Sequence, residues 1–436
     1  MRKLGQYFLL VAVVVGGSFF ISPEAQAGAV AFTEISGDIT TNTTWTKAGS
    51  PYLVRGSLYI PPGITLTVEP GVVVKIDGSA SSFSGLDILG TINALGTSED
   101  PIYFTSFYDD EVGTSIDDEE ICLPDDSGEE VCESLDLGDP LVGDWGELYF
   151  DNTNSVLRNV FVRYSEYSIT VYKSSLDIEN LTVEHSETGL VVYENSTVEI
   201  AGGHLADITA GETVVIFNNS SFSAENLTVE NIYPFFNDAI VLFNNSDLFL
   251  RESLFKDCPD NACVTVFDGR NYANSSSVSI ENTVFEGGVG SGLLTFGSPP
   301  ASVSVASSSF GSFDFFAIEN YNRNLIVKAE NNYWDDPSGP LHKTNPNGLG
   351  QAIYGLVDFE PWLENYPPVS CCSSVLFLPG LEASRLYLMK DGNENQLWEP
   401  NRNLDIEKLY LDQNGVPINS NVYTRDIIEE GLGVQN

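Results

Sequence analysis

Positive charge is scarce. Only 19 Lys and Arg stand against 62 Asp and Glu in 436 residues, a formal net charge of −43. Such a surface repels polyanions, which excludes nucleic acid and anionic lipid as partners. It favours solubility, and it offers Ca²⁺ a site wherever carboxylates converge. Histidine is scarcer still: His185, His204 and His342 are the only ones, and no Cys/His spacing fits a zinc site. A long helical period is also missing, which argues against a helix bundle. Hydrophobic residues still make up 42% of the chain, so a core can be buried and global disorder is excluded.

The first residues read as an export signal over residues 1–27. Met1, Arg2 and Lys3 carry positive charge, Phe8 to Ile21 is apolar but short for a span, and Ala25-Gln26-Ala27 offers a cleavage site. An uncleaved anchor is the alternative. The expected location is secreted or cell-surface. Six cysteines fit an oxidising compartment. Cys122 with Cys132 and Cys258 with Cys263 are candidate local disulfides, while Cys371 and Cys372 are adjacent and their pairing stays open.

What is present is a repeat. An apolar-x-Asn-x-x-apolar pattern places Asn159, Asn180, Gly202, Asn226, Glu252, Asn282, Ser307 and Asn331 in one column. From Asn159 to Asn331 the chain advances 172 residues over seven intervals, a mean of about 25, the period of a solenoid. Columns two residues before (Leu157 to Ala329) and three after (Val162 to Trp334) stay apolar throughout. Each copy holds a second strand-like run, such as Ile169-Thr170-Val171-Tyr172 or Ile240-Val241-Leu242-Phe243. Asn, Ser and Gly separate the runs and tolerate left-handed corners. The fold class expected is all-β, a single-stranded parallel β-helix whose apolar columns become internal ladders. Asn159, Asn180, Asn226, Asn282 and Asn331 are expected to form a ladder of side-chain amides.

Earlier coils are expected in residues 28–150, and regular coils with a closing segment in 151–365. Asn42-Thr43-Thr44-Trp45-Thr46, Thr67-Val68-Glu69-Pro70-Gly71-Val72 and Gly143-Asp144-Trp145-Gly146 resemble the opening coils of secreted bacterial right-handed β-helix proteins. Asn332-Tyr333-Trp334, Pro337-Ser338-Gly339-Pro340 and Val357 to Leu363 resemble the segment that ends many such helices. The resemblance implies fold and says little about activity. Residues 109–139, crowded with Asp and Glu, read as an insertion: a solvated loop, or a Ca²⁺ site for which no ligand spacing speaks.

Many proteins of this fold cut polysaccharide. An anionic polymer is poorly served by a charge of −43. Asp177, Glu179, Glu199 and Glu225 are candidates for paired carboxylates on one face, against the simpler reading of solvated outward residues. His185 and His204 occupy similar places in adjacent copies. The column Tyr172, Tyr193, Phe217, Phe243, Phe267, Phe296 is either a core or partly covered ladder, or an exposed stripe for sugar rings. Asn-x-Ser/Thr triplets, as at Asn42 and Asn195, coincide with corner chemistry.

After a linker at Tyr366-Pro367-Pro368 the texture changes. Val375-Leu376-Phe377-Leu378-Pro379-Gly380-Leu381-Glu382-Ala383-Ser384-Arg385-Leu386, with Leu397-Trp398-Glu399-Pro400, resembles the start of lecithin:cholesterol acyltransferase-like α/β-hydrolases. The resemblance implies an incomplete α/β segment over 366–436, with the Leu381 backbone N–H as an oxyanion-hole donor. Ala383 departs from the usual Gly. The nucleophile elbow Gly-x-Ser-x-Gly occurs nowhere, so no catalytic triad is assigned. Three functions follow as expectations. The chain is a β-helix presentation module of a longer protein whose hydrolase domain acts on lipid esters. Alternatively it is a surface carbohydrate-binding or adhesion helix, or a polysaccharide lyase or hydrolase. No cofactor is expected.

Overall fold

A computed structural model describes residues 32–35, 37–78, 84–114, 119–124, 130–135, 138–232, 238–268, 276–367, 384–390, 393–398 and 422–427. The expected leader 1–27, Cys371, Cys372 and Leu381 lie outside them. Two compact units are present, Met1–Glu364 and Asn365–Asn436.

The first unit is a stack of parallel coils. The strand Asn154–Arg163 shows how one coil is made. Its first half pairs in parallel with Ser175 to Glu179 and its second half with Leu181 to Glu184. Between them Asn159 takes φ 48°, bending the strand without ending it. A 19-stranded sheet thereby wraps two faces of the stack, and a 12-stranded sheet forms the third. Side chains alternate across each strand. Leu157, Val160, Val162, Ile169 and Val171 point in and are fully buried.

In the five coils from Asn152 to Asp257, three corners each carry left-handed backbone. All eight members of the column from Asn159 to Asn331 have φ between 48° and 80°. Tyr164, His185, Asp207, Asn231 and Asp257 form a second such column, and Asn152, Lys173, Asn195, Asn219 and Asn245 a third. The amide ladder along the first column needs correction. Asn180 Nδ2 donates to Asn159 Oδ1 at 3.1 Å, and Asn159 Nδ2 to the Gly96 carbonyl at 2.9 Å. Beyond that step Gly202, Glu252 and Ser307 interrupt the column, so Asn226, Asn282 and Asn331 have no amide on a neighbouring coil to bond. The common requirement is the left-handed backbone, which Asn tolerates best among non-glycine residues. Amide-to-amide bonding recurs at the third corner, where Asn244 Nδ2 donates to Asn218 Oδ1 at 3.2 Å and Asn245 to Asn219.

The longer polar ladder is made of serine. Ser196 Oγ accepts the Ser174 N–H at 3.2 Å, Ser220 that of Ser196 at 3.2 Å, Ser246 that of Ser220 at 3.3 Å and Ser276 that of Ser246 at 3.1 Å. Each hydroxyl satisfies a buried corner donor that the strands leave unpaired. Inside the stack, Phe255, Phe285, Phe310 and Trp334 form a buried aromatic ladder with centroids 4.9–5.2 Å apart. At the C-terminal end Phe359 is buried, and the Trp362 indole lies so close to Gly339 that a Cβ there would sit 2.6 Å from its ring.

The acidic insertion is anchored by buried charge at its root. Arg163 Nη1 lies 3.2 Å from fully buried Asp109, and buried Lys75 Nζ lies 3.5 Å from Asp110. Further on, Glu119–Pro124 and Glu130–Leu135 form an antiparallel hairpin with Cys122 opposite Cys132. The side chains of that hairpin lie outside the description. Cys258 and Cys263 are joined by a disulfide, with both residues buried. In the second unit Ser384–Lys390 pairs antiparallel with Asn393–Trp398 and with Val422–Ile427. The strand and Pro-Gly loop read at 375–383 lie outside the described residues.

Candidate binding face

The 12-stranded sheet turns one side to the core and the other outward. Val171, Val192, Ile216, Leu242 and Val266 are fully buried on the inner side. Their successors Tyr172, Tyr193, Phe217, Phe243 and Phe267 therefore face out, in register from coil to coil, and Phe296 follows Phe267. Ring centroids are 5.0 Å apart for Tyr172–Tyr193, 5.1 Å for Tyr193–Phe217, 5.1 Å for Phe217–Phe243 and 4.8 Å for Phe267–Phe296. The middle rings are stacked and the end pairs tilted. Mutual stacking covers ring faces and leaves each residue half-buried, except Phe267, which is 38% exposed. The column thus lies on the outer side, where the exposed-stripe alternative put it, with its rings partly covered by one another.

Beside it runs a second outward column: Tyr149, Thr170, Val191, Val215 and Val241. Tyr149 donates a hydrogen bond to the Tyr193 hydroxyl; burial, then this bond, pushes the Tyr149 phenol up. At the N-terminal end of the face lies a small cavity of about 140 Å³, lined by Ser57, Gly85, Asp87, Gly146, Glu147 and Tyr167 among others. Gly85 is forced there, because a Cβ would lie 2.0 Å from the Glu147 carbonyl oxygen. Burial is the main cause raising the Glu147 carboxyl above its ordinary range, opposed by a hydrogen bond from Thr170 and assisted by the nearby Asp87 charge. Burial, then Asp38, likewise raises Asp87.

The other candidates separate. Asp177 and Glu199 are in register on the first face, as are Ala201 and Glu225. Arg158 pairs with Asp177 at 2.5 Å and Glu179 at 3.1 Å, and Arg251 with Glu225 at 2.5 Å. These are solvated ion pairs between coils. His185 sits at a corner, stacked on Tyr164 at 5.5 Å. His204 lies within a strand, its Nε2 2.9 Å from Glu230 Oε1. The two histidines therefore do not share a column. Among the described residues no group of three or more His, Cys, Asp or Glu is placed to hold a metal.

The geometry defines a class of fold rather than a chemistry. Residues 148–333 match the family described as right handed beta helix region. These coils form a right-handed parallel β-helix, with the outward aromatic column inside the matched span. No curated protein and no solved structure matches the chain.

Proposed function

We propose that this β-helix is a non-catalytic binding module, exported to the cell surface or beyond, that holds an elongated polysaccharide along the outer side of its 12-stranded sheet. The observation carrying this reading is the ring-to-ring repeat of 4.8–5.1 Å at four of the five steps of the outward aromatic column. It is close to the advance per unit of an extended β-linked glycan, so a chain lying along the helix axis meets equivalent apolar contacts at each coil. Outward aromatic and aliphatic columns side by side supply desolvated area, and the Tyr149 and Tyr193 hydroxyls supply polar contacts. Affinity electrophoresis of the full chain in gels containing neutral β-glucan, xylan or chitin tests it. Retardation by at least one polymer, lost in a Tyr193→Ala/Phe217→Ala double variant, is expected. Equal mobility in every gel refutes it.

A second reading is favoured by the hydrolase-like run at 375–386. In it the helix presents a lipase-type domain encoded beyond Asn436, acting on lipid esters. Reading the coding sequence past that codon tests it: an in-frame Gly-x-Ser-x-Gly is expected, and an immediate stop in intact genomic sequence removes the reading.

A further inference from the structure

We infer that the polysaccharide preferred by this face carries free amines: an amino-sugar polymer that is cationic when those amines are protonated. The inference rests on the glycan-binding reading of the same face and specifies its ligand. Charge on the sheet is one-sided. Its strands contain no Lys or Arg, whereas they contain Asp87, Glu147, Asp151 and Glu319; Asp238 is buried and already bonded by Asn261 and Thr265. Asp151 heads the aromatic column, in register with Tyr172. The carboxylates at the N-terminal end therefore lie beside the column that a glycan would follow, and Lys173 is the basic group whose charge reaches Asp151.

The column already receives an ammonium. Lys173, at the corner after Tyr172, places Nζ 4.4 Å from the Tyr172 ring centroid. That is the geometry in which an aromatic ring attracts a cation. At this end of the row a ligand amine would take the place of Lys173 over Tyr172, since further along the rings cover one another's faces. The cavity beside Glu147 and Asp87 offers a second place for an amine. There a cation would offset the cost of keeping two partly desolvated carboxylates charged. A neutral glycan offers the same apolar contacts but leaves those carboxylates unpaired, so charge complementarity separates the two ligand classes.

Calorimetric titration of the full chain with a β-1,4-linked glucosamine oligomer and its fully N-acetylated counterpart tests the inference. At a pH where its amines are protonated, the free amine form should bind about ten-fold more tightly at low ionic strength, and the gap should narrow as salt is added. Glu147→Gln should narrow the gap, and Lys173→Met, which removes a competing ammonium, should widen it. The double variant Tyr193→Ala/Phe217→Ala keeps the net charge and should lose the preference. If that variant binds the amine form as tightly as the parent, attraction is to bulk charge and the inference falls. Equal or tighter binding of the acetylated form also overturns it while leaving the glycan-binding reading intact. Binding of neither form, nor of any neutral polymer, defeats both.

Discussion

Tyr193 and Phe217 lie one coil apart on the outside of the helix, ring centroids 5.1 Å apart and planes within 11° of parallel. Phe217 continues the stack to Phe243 at 5.1 Å. A ring in the middle of such a row loses two partners when removed. Each aromatic pair contributes about 0.5–1.5 kcal/mol beyond buried area. Phe217→Ala should therefore lower unfolding free energy by about 2 kcal/mol, measured by denaturant titration. A loss no larger than that of an exposed surface substitution would show that the stack is not cohesive.

The inner ladder should be costlier to break. Phe285 is fully buried between Phe255 and Phe310. Truncation leaves a cavity and removes both stacks, so Phe285→Ala should cost about 3–5 kcal/mol, read as a shift in the same denaturant midpoint. Phe285→Leu should recover most of it.

Corner geometry gives a third test. Asn226 holds φ 57°. Its place requires left-handed backbone and has no neighbouring amide in the column. Asn226→Gly should be tolerated within a few tenths of a kcal/mol, while Asn226→Val should cost about 1–2 kcal/mol. Equal effects of the two would mean that the side chain matters and the backbone does not.

Asp238 gives a pH dependence. It is 7% exposed, accepts hydrogen bonds from Asn261 Nδ2 at 2.7 Å and from Thr265, and burial pushes its carboxyl up to about 6. The folded chain therefore binds this proton more tightly than the unfolded chain. The resulting stability is present in full below about pH 4, declines as pH rises towards 6, and is gone above that. Two pH units correspond to about 3 kcal/mol. Asp238→Asn should raise the melting temperature at pH 7 and flatten its dependence between pH 4 and 6. An unchanged slope would show that Asp238 is not the group responsible.

Much of this fold was legible because period and parity are backbone properties. The Asn159 to Asn331 column predicted corners, and all eight positions have positive φ. The amide ladder was over-read: an Asn at a corner needs no Asn above it. The serine ladder was missed although Ser174, Ser196, Ser220, Ser246 and Ser276 repeat with the coil. Its signal is present but looks like ordinary turn composition. The side on which Tyr172 and Phe217 fall was undecidable in sequence, because each left-handed corner resets alternation. The buried neighbours Val171 and Ile216 settle it. The Asp87–Glu147 cavity joins residues 60 positions apart, beyond any local pattern.

A glycan lying along the outer aromatic column would show directly in a complex. The most direct measurement is a crystal structure of the full chain with a bound β-linked hexasaccharide. Density for successive sugar units over Tyr193, Phe217 and Phe243, advancing one unit per coil, is the predicted result. Sugar bound on another face, with this column bare, would contradict it.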